Sequence, residues 1–251
     1  MHILALEDHD DITVARVQAG KGNALSLEVV DALEAGIAEL ASRSSRAIVL
    51  TGQDRFFCAG LALPGLVDLE RAQMGTFMDR FGALMLQLFT LPVPVVAAVN
   101  GHAIAGGCVL ALQCDVRVLA AGEVRIGLNE VQLGIGLPSS ALEPMRLCVP
   151  ASSWAAIALQ GRLLDPEEAL RLGLVDEVVP ADDVLPRALA RARELAAGTA
   201  PAYAQIKQAL RRDAVVTMQR EAAADRERWL DTWFSPAAQT RLREAVARLR
   251  R

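Results

Sequence analysis

The chain has 251 residues, of which 53% are hydrophobic and 22% are charged, and these proportions exclude disorder for most of its length. The 26 basic and 30 acidic residues give a net charge of −4, which disfavours a protein that binds by neutralising nucleic-acid phosphates. Residues 81–114 contain no Asp, Glu, Lys or Arg, and by length alone this run is long enough to span a membrane.

The composition of the uncharged run argues against a membrane helix. Pro92 and Pro94 interrupt it, and Gly101 and the pair Gly106-Gly107 interrupt it again. Each piece is too short to cross about 30 Å of hydrocarbon as one helix. We therefore predict a buried helix, a strand, a turn and a second helix here, and no association with membranes.

The first residues and the cysteines bear on where the protein works. The N-terminal segment has neither a basic region nor an apolar stretch of the kind found in secretory signals. The four cysteines form no Cys-x-x-Cys pair, and the three histidines complete no zinc-ligand spacing. We expect a cytoplasmic protein with free thiols and no bound metal.

Along the first 130 residues the pattern alternates between strands and helices. Residues 12–17 predict one or two strands, and Ser26 is a suitable N-cap for a helix whose apolar residues recur at helical spacing. The apolar face of this helix comprises Val29, Leu33, Ile37 and Leu40. The unbroken apolar run at 47–50 predicts a strand buried on both faces, and the same order of strand, turn and helix recurs at 95–99 and around 116–119 and 124–126. This is an α/β pattern.

Beyond residue 150 the strand signals almost disappear. Asp165 caps a short helix that Gly173 ends, and residues 181–251 form successive amphipathic helices. We therefore divide the chain into a core at 1–180 and a helical region at 181–251. Trp229, Trp233 and Phe234 concentrate aromatic area in the helical region. They are expected either to fold back onto the core or to pack against another subunit.

Two glycine-containing turns are candidates for binding an anion. Gly101 and Gly106 have the spacing of a phosphate-binding P-loop, but Gly107 and Cys108 occupy the positions that require Lys and Ser or Thr. A glycine pair at a helix start still presents backbone N–H groups without intrahelical partners. The turn at residues 59–60 offers a similar donor, so the two turns are able to converge on one oxygen. The alternative is that these glycines serve only close packing.

Glu130 is the most informative carboxylate in the sequence. It lies among apolar residues, namely Ile126, Leu128, Val131 and Leu133. In a pocket its charged form would lose solvation and its basicity would rise, as proton transfer at carbon requires. The alternative is a solvated loop glutamate. His102 is interpreted as a loop or packing residue rather than as a catalytic base.

Segments 22–26, 57–61, 100–115, 130–138 and 161–180 resemble, in this order, the crotonase superfamily, the enoyl-CoA hydratase and isomerase family. The resemblance implies a spiral of β-β-α turns with a helical C-terminal trimerisation region, and a homotrimer or a dimer of trimers. It also implies an acyl-CoA thioester substrate, with coenzyme A as part of that substrate and no separate cofactor. By position, the N–H groups of Leu61 and Gly106 would hold the thioester oxygen. The implied substrate-binding residues are Ala24, Ala59, Gly60, Leu61, Ala62, Leu63, Gly106 and Gly107.

The acidic positions indicate which reaction this chain resembles. Hydratases of the family have a glutamate three residues after the oxyanion-hole glycine, and this chain has Val109 there. The second family glutamate corresponds to Glu130. One carboxylate is enough for a Δ3,Δ2-enoyl-CoA isomerase, a fatty acid β-oxidation enzyme that moves a double bond from C3 to C2. Residues 126–134 are also similar to those of such isomerases. Ala62 departs from the family, which usually has aspartate there.

Other functions remain open at this point. Without a glutamate at residue 109, hydration is disfavoured, but other crotonase reactions such as dehalogenation or decarboxylation are not excluded. A non-enzymatic alternative is RNA binding through arginines on the C-terminal helices. These arginines are Arg187, Arg191, Arg193, Arg211 and Arg212. Acidic neighbours favour solvated helix faces for them.

Overall fold

The computed structural model describes residues 3–249. The nine strands of this part of the chain are β1 (Leu4–His9), β2 (Ile12–Val17), β3 (Ala47–Thr51), β4 (Phe56–Cys58), β5 (Val95–Val99), β6 (His102–Ile104), β7 (Val116–Ala120), β8 (Ile126–Gly127) and β9 (Glu177–Val179). Its ten α-helices are α1 (Leu27–Ser42), α2 (Leu63–Leu66), α3 (Arg71–Phe89), α4 (Gly106–Leu112), α5 (Glu130–Leu133), α6 (Ser139–Cys148), α7 (Pro166–Arg171), α8 (Val184–Ala196), α9 (Ala200–Trp233) and α10 (Pro236–Leu249).

The strands form two sheets. The larger has the order β1-β2-β3-β5-β7-β9, in which only β1 and β2 are antiparallel. Every residue of β3, β5 and β7 is buried, and the strands predicted at 47–50, 95–99 and 116–119 are confirmed. The smaller sheet has the order β4-β6-β8 and is parallel. The strand predicted at 124–126 is wrong in extent, since β8 comprises only Ile126–Gly127.

Three successive units of strand, strand and helix produce this arrangement. In each unit the first strand joins the large sheet, the second joins the small sheet, and a helix follows: β3-β4-α2, β5-β6-α4 and β7-β8-α5. This is the predicted α/β spiral of β-β-α turns. Because β4, β6 and β8 are parallel neighbours, the segments that follow them meet at one edge of the small sheet.

Side-chain hydrogen bonds fix the turns and helix starts between these strands. Asn100 follows β5, and its Oδ1 accepts from the Gly52 N–H at 2.9 Å while its Nδ2 donates to the Asp54 carbonyl at 3.1 Å. The turns after β3 and β5 are thereby held together. The predicted caps are present, since Ser26 accepts from the Val29 N–H and Asp165 from the Glu168 N–H.

The uncharged run belongs to the interior of the fold. It supplies the second half of α3, then β5, β6 and α4, and all seven residues of α4 are buried. Among the described helices, none combines the length and the apolar character that crossing a bilayer requires.

The C-terminal helices fold back onto the same chain. Trp229 and Trp233 on α9 are 4% and 0% exposed, and their rings stack with centroids 5.0 Å apart. Phe234 is partly buried against the same core. Strands occur only up to Val179 in the described residues, and helices follow from there. The division into units 1–180 and 181–251 stays a prediction.

Helix α4 packs against β4 without room for an extra methyl group. A Cβ at Gly107 would lie 2.0 Å from the Cys58 carbonyl oxygen, whereas a Cβ at Gly82 on α3 would meet nothing within 4 Å. We expect Gly107→Ala to lower the free energy of unfolding by about 2 kcal/mol, because the backbone must move apart. The matched change Gly82→Ala should raise it by about 0.5 kcal/mol. Urea denaturation measures both, and a G107A protein as stable as the wild type would contradict this close contact.

Candidate active site

The edge of the small sheet opens into a cavity of about 1090 Å³. Most of the residues predicted to form the site lie on its wall. These are Ala24, Ala59, Leu61, Ala62, Leu63, Gly106 and Glu130. They come from the three segments that follow β4, β6 and β8 and from the segment before α1. The fold therefore brings together residues that are more than 100 positions apart in the sequence.

Leu61 presents its backbone N–H without a protein acceptor. A short parallel bridge joins Leu25 and Leu61. In this bridge the Leu25 N–H donates to the Gly60 carbonyl at 2.8 Å, and the Ala62 N–H donates to the Leu25 carbonyl at 3.0 Å. The Leu61 N–H between them donates to no acceptor in the described chain. A free N–H on a cavity wall is available to a substrate oxygen.

Gly106 presents a second free N–H. It begins α4, so no carbonyl of an earlier helical turn is available to it. The preceding residue, Ala105, has φ +51° and ψ −119°, a conformation that L-residues rarely adopt, and its N–H donates to the Gly127 carbonyl at 2.8 Å. Such backbone strain costs about 1–3 kcal/mol and is concentrated at functional sites. Here it sets the direction in which α4 starts.

The two glycine-containing turns touch each other. A Cβ at Gly106 would lie 3.6 Å from the Gly60 Cα and 3.3 Å from the Leu25 side chain. The N–H groups of Leu61 and Gly106 therefore belong to adjacent turns on one wall. Two N–H groups in adjacent turns are near enough to be candidates for donating to one oxygen.

Gly60 and Gly107 lie behind the cavity wall rather than on it. Gly60 has φ +89°, and a Cβ there would lie 2.7 Å from the Ile104 carbonyl oxygen. Both glycines allow close contact between the turns behind the wall. Their assignment to the substrate stays a prediction, whereas Gly106 faces the cavity.

Glu130 is buried on the same wall. It is the first residue of α5 and is 6% exposed, and its Oε2 has no hydrogen-bond partner in the described chain. Burial raises the pKa of this carboxyl from 4.5 to about 7, although a hydrogen bond from its own backbone N–H acts in the opposite direction. The alternative of a solvated loop glutamate is wrong. A carboxylate with this pKa can take up and release a proton near neutral pH.

The remaining wall contains one other carboxylate, that of Glu28, which is exposed. Val109 on α4 also lies on the wall and is 2% exposed. Asn129, next to Glu130, also lies on the wall, and its Oδ1 is buried without a partner in the described residues. Glu130 is thus the single buried carboxylate among the wall residues.

A large apolar part of the wall could not be predicted. Met78 and Phe81 come from α3, and Trp229 comes from α9. Leu133 is the last residue of α5, and Ile135 follows that helix. The helical spacing of Met78 and Phe81 predicts burial, but nothing local indicates that they face a cavity. Trp229 was singled out only as an aromatic residue in need of burial.

Exposed cations border the outer part of the cavity. Lys21, Arg125 and Arg248 all lie on its wall and are exposed. The His102 Nδ1 accepts from the Arg125 N–H at 3.0 Å, and its ring lies 5.2 Å from that of Phe56. Burial lowers the pKa of His102, and the nearby arginines lower it further. His102 is therefore a neutral packing residue at pH 7.

The other predicted features are also located. In the described part of the chain, no group of three or more His, Cys, Asp or Glu side chains is placed to hold a metal ion.

Arg187 and Arg191 both pair with Glu177 and Glu194. Their charge is balanced by carboxylates, so they form a solvated helix face rather than a free basic stripe.

Burial of Glu130 has a measurable effect on stability. Between pH 4.5 and about 7 the folded chain holds a proton that the unfolded chain has released, so the free energy of unfolding falls as pH rises through this range. Glu130→Gln cannot ionise. We therefore expect its stability relative to the wild type to increase by up to about 3 kcal/mol between pH 4 and pH 8. Chemical denaturation at the two pH values tests this, with Glu28→Gln as the matched control, and a constant difference for E130Q would contradict it.

Comparison with known proteins identifies the family of this chain. A family model described as enoyl-CoA hydratase/isomerase matches residues 9–244. The chain is 35% identical to 2,3-dehydroadipyl-CoA hydratase of Escherichia coli K12 over 205 residues, 82% of this chain and 78% of that protein. It is 37% identical to mitochondrial enoyl-CoA delta isomerase 1 of Mus musculus over 177 residues, 69% of this chain and 61% of that protein. The crystal structure of human mitochondrial delta3-delta2-enoyl-CoA isomerase superposes with a TM-score of 0.93 at 29% identity and covers 99% of this chain and 98% of that one. The chain therefore belongs to the enoyl-CoA hydratase/isomerase family.

Proposed function

We propose that this protein is a Δ3,Δ2-enoyl-CoA isomerase, which moves a double bond from C3 to C2 of an enoyl-CoA thioester. The observation that carries the proposal is the combination of one buried carboxylate, Glu130, with two free N–H groups, those of Leu61 and Gly106, on one cavity wall. Proton removal next to a thioester needs a base and a site for the negative charge that develops on oxygen.

In the proposed mechanism the Glu130 carboxylate removes a proton from C2. The electron pair of the broken C–H bond moves toward the thioester oxygen, where the Leu61 and Gly106 N–H groups donate to the developing oxyanion. The resulting dienolate extends from the oxygen to C4. The protonated Glu130 then returns the proton at C4, and the double bond is left between C2 and C3. One residue accepts and returns the same proton, so no second acid is required.

Val109 supports isomerisation over hydration. Adding water to a double bond requires groups that hold and deprotonate the water, and the valine side chain can do neither. It lies buried on the cavity wall, where a hydratase of the family has its first glutamate. The names of the relatives include both hydratases and isomerases, so the choice between the two reactions depends on these wall residues.

The remainder of the wall suits an acyl-CoA. The apolar part around Met78, Phe81 and Trp229 provides a surface for a hydrocarbon chain, and Ala62 adds no charge near the reacting atoms. The exposed cations Lys21, Arg125 and Arg248 provide countercharges for the coenzyme A phosphates. Coenzyme A is part of the substrate, and the proposed mechanism uses no separate cofactor.

We further propose that the chain assembles as a homotrimer or a dimer of trimers. Several large apolar side chains remain exposed although the core is complete, and an interface between subunits would bury such surface. Examples are Leu159, Ile206 and Leu210, which are 75%, 55% and 72% exposed. The cytoplasmic location stays a prediction.

Replacing Glu130 should nearly abolish the proposed reaction. With a 3-enoyl-CoA as substrate, we expect Glu130→Gln to lower kcat by about 10³-fold because the amide cannot take the C2 proton. For the wild type, kcat/KM should rise with pH through about 7, since the base acts in its ionised form. Absorbance of the conjugated 2-enoyl thioester measures the rate. Glu28→Gln, which removes the exposed carboxylate of the same wall, is the control, and wild-type turnover by E130Q would disprove the mechanism.

The ratio of two activities separates isomerisation from the alternatives. We expect the wild type to hydrate crotonyl-CoA at least about 100-fold more slowly than it isomerises a 3-enoyl-CoA, since only one buried acid is present. Comparable rates would favour a hydratase. Turnover of neither substrate would favour dehalogenation, decarboxylation or another crotonase reaction, and salt-sensitive RNA binding without acyl-CoA turnover would favour the non-enzymatic alternative.

A further inference from the structure

A second cavity, of about 740 Å³, lies between the end of α3 and the first half of α9. It shares no wall residue with the candidate active site. Its apolar wall includes Phe89, Leu91, Pro92 and Val215, and its charged wall residues are Lys207, Arg211 and Arg212. No Asp or Glu lies on this wall.

The charges beneath this cavity are not balanced. Lys207 donates to Asp115 Oδ2 at 2.7 Å, and Arg211 donates to Asp115 Oδ1 at 2.8 Å. Asp115 Oδ2 also accepts from the Val95 N–H. Two cations therefore share one carboxylate, and both are at least nine-tenths buried, with 7% and 9% of their surface exposed. The cluster carries one uncompensated positive charge.

Both cations retain donors that the protein does not use. Lys207 makes two hydrogen bonds in the described chain, to Asp115 and to the Val93 carbonyl, and has a third N–H. Arg211 makes three, to Asp115, Phe89 and Gln113, and has five N–H groups. Its guanidinium lies over the Phe89 ring at 4.1 Å, which holds the group flat against the apolar wall.

Two further observations agree with an excess of positive charge. Burial lowers the pKa of Lys207 to about 8 although Asp115 raises it, and Arg211 lowers it further. Arg212 lies at the rim, is exposed, and forms no ion pair within residues 3–249. A buried charge without a countercharge is costly, so an anion placed here would gain by compensating it.

We propose that this second cavity is a binding site for a small organic anion, a carboxylate with a short hydrocarbon body. Lys207, Arg211 and Arg212 would hold the carboxylate, and Phe89, Leu91 and Val215 would contact the hydrocarbon. The apolar wall distinguishes this ligand from inorganic phosphate, which has no surface to bury against it. The site is independent of the reaction proposed above.

The chain contains a natural reporter for this site. Tyr203 is the single tyrosine of the sequence and lies on α9, one helical turn before Lys207. Its hydroxyl faces Asp115, the carboxylate that Lys207 and Arg211 share. It does not lie on the wall of the candidate active site. Protein labelled with 3-fluorotyrosine therefore gives one ¹⁹F resonance that responds to this cluster.

The test is a titration of the intact labelled protein with octanoate, octanol and inorganic phosphate. We expect octanoate to shift the Tyr203 resonance saturably, with half-saturation below about 10 mM, and the other two compounds to bind at least about fivefold more weakly. Arg212→Gln should weaken octanoate binding about fivefold and Arg212→Glu more strongly. Arg220→Glu, with the same change of charge on the same helix, is the control. No saturable shift, equal binding of octanol or of phosphate, or equal effects of R212E and R220E would each overturn the proposal.

Discussion

The close approach of the backbone at both ends of the strands of the small sheet is the constraint on which the rest of the structure depends. At their beginning, a methyl group at Gly52 or Gly101, in the turns that lead into β4 and β6, would lie within 2.2 Å of a backbone carbonyl oxygen, and at their end the same holds for Gly107 in α4. The Asn100 side chain holds two of these turns together. At the end of β4 and β6, Gly60 packs against Ile104 and Gly106, so Leu61 and Gly106 lie in adjacent turns next to the strained backbone of Ala105.

The same architecture explains why the carboxylate of Glu130 is buried. Glu130 begins a helix of only four residues at the end of a two-residue strand, so it enters the cavity from a rigid edge rather than from a long loop. Its apolar surroundings favour the protonated acid and raise its basicity. Stability and chemistry therefore oppose each other at this residue, since the burial that tunes the proton transfer also penalises the ionised folded state.

Features that can be predicted from the sequence depend on residues near each other in the chain, whereas the others depend on packing between distant segments. Buried strands such as Ala47–Thr51 and the caps at Ser26 and Asp165 depend on neighbouring residues, and local patterns identify them. The resemblance of ordered segments identified Glu130, Leu61 and Gly106. The apolar wall from α3 and α9 depends on long-range packing, as does the contact of α10 with α5 at Gly134, where a methyl group would lie 3.3 Å from the Ala238 Cα. Gly60 and Gly107 were assigned to the substrate because a sequence does not show whether a glycine faces a cavity or a neighbouring backbone.

The position of Trp229 and Arg248 on the cavity wall has a consequence for how the protein is made. Every group that the proposed reaction uses has been synthesised once residue 130 leaves the ribosome, but the wall is completed only by α9 and α10, about 100 residues later. During that interval the nascent chain contains Glu130, Leu61 and Gly106 but lacks the helices that complete the cavity wall around them. The cavity is therefore complete only after the last helices have been synthesised and have folded back.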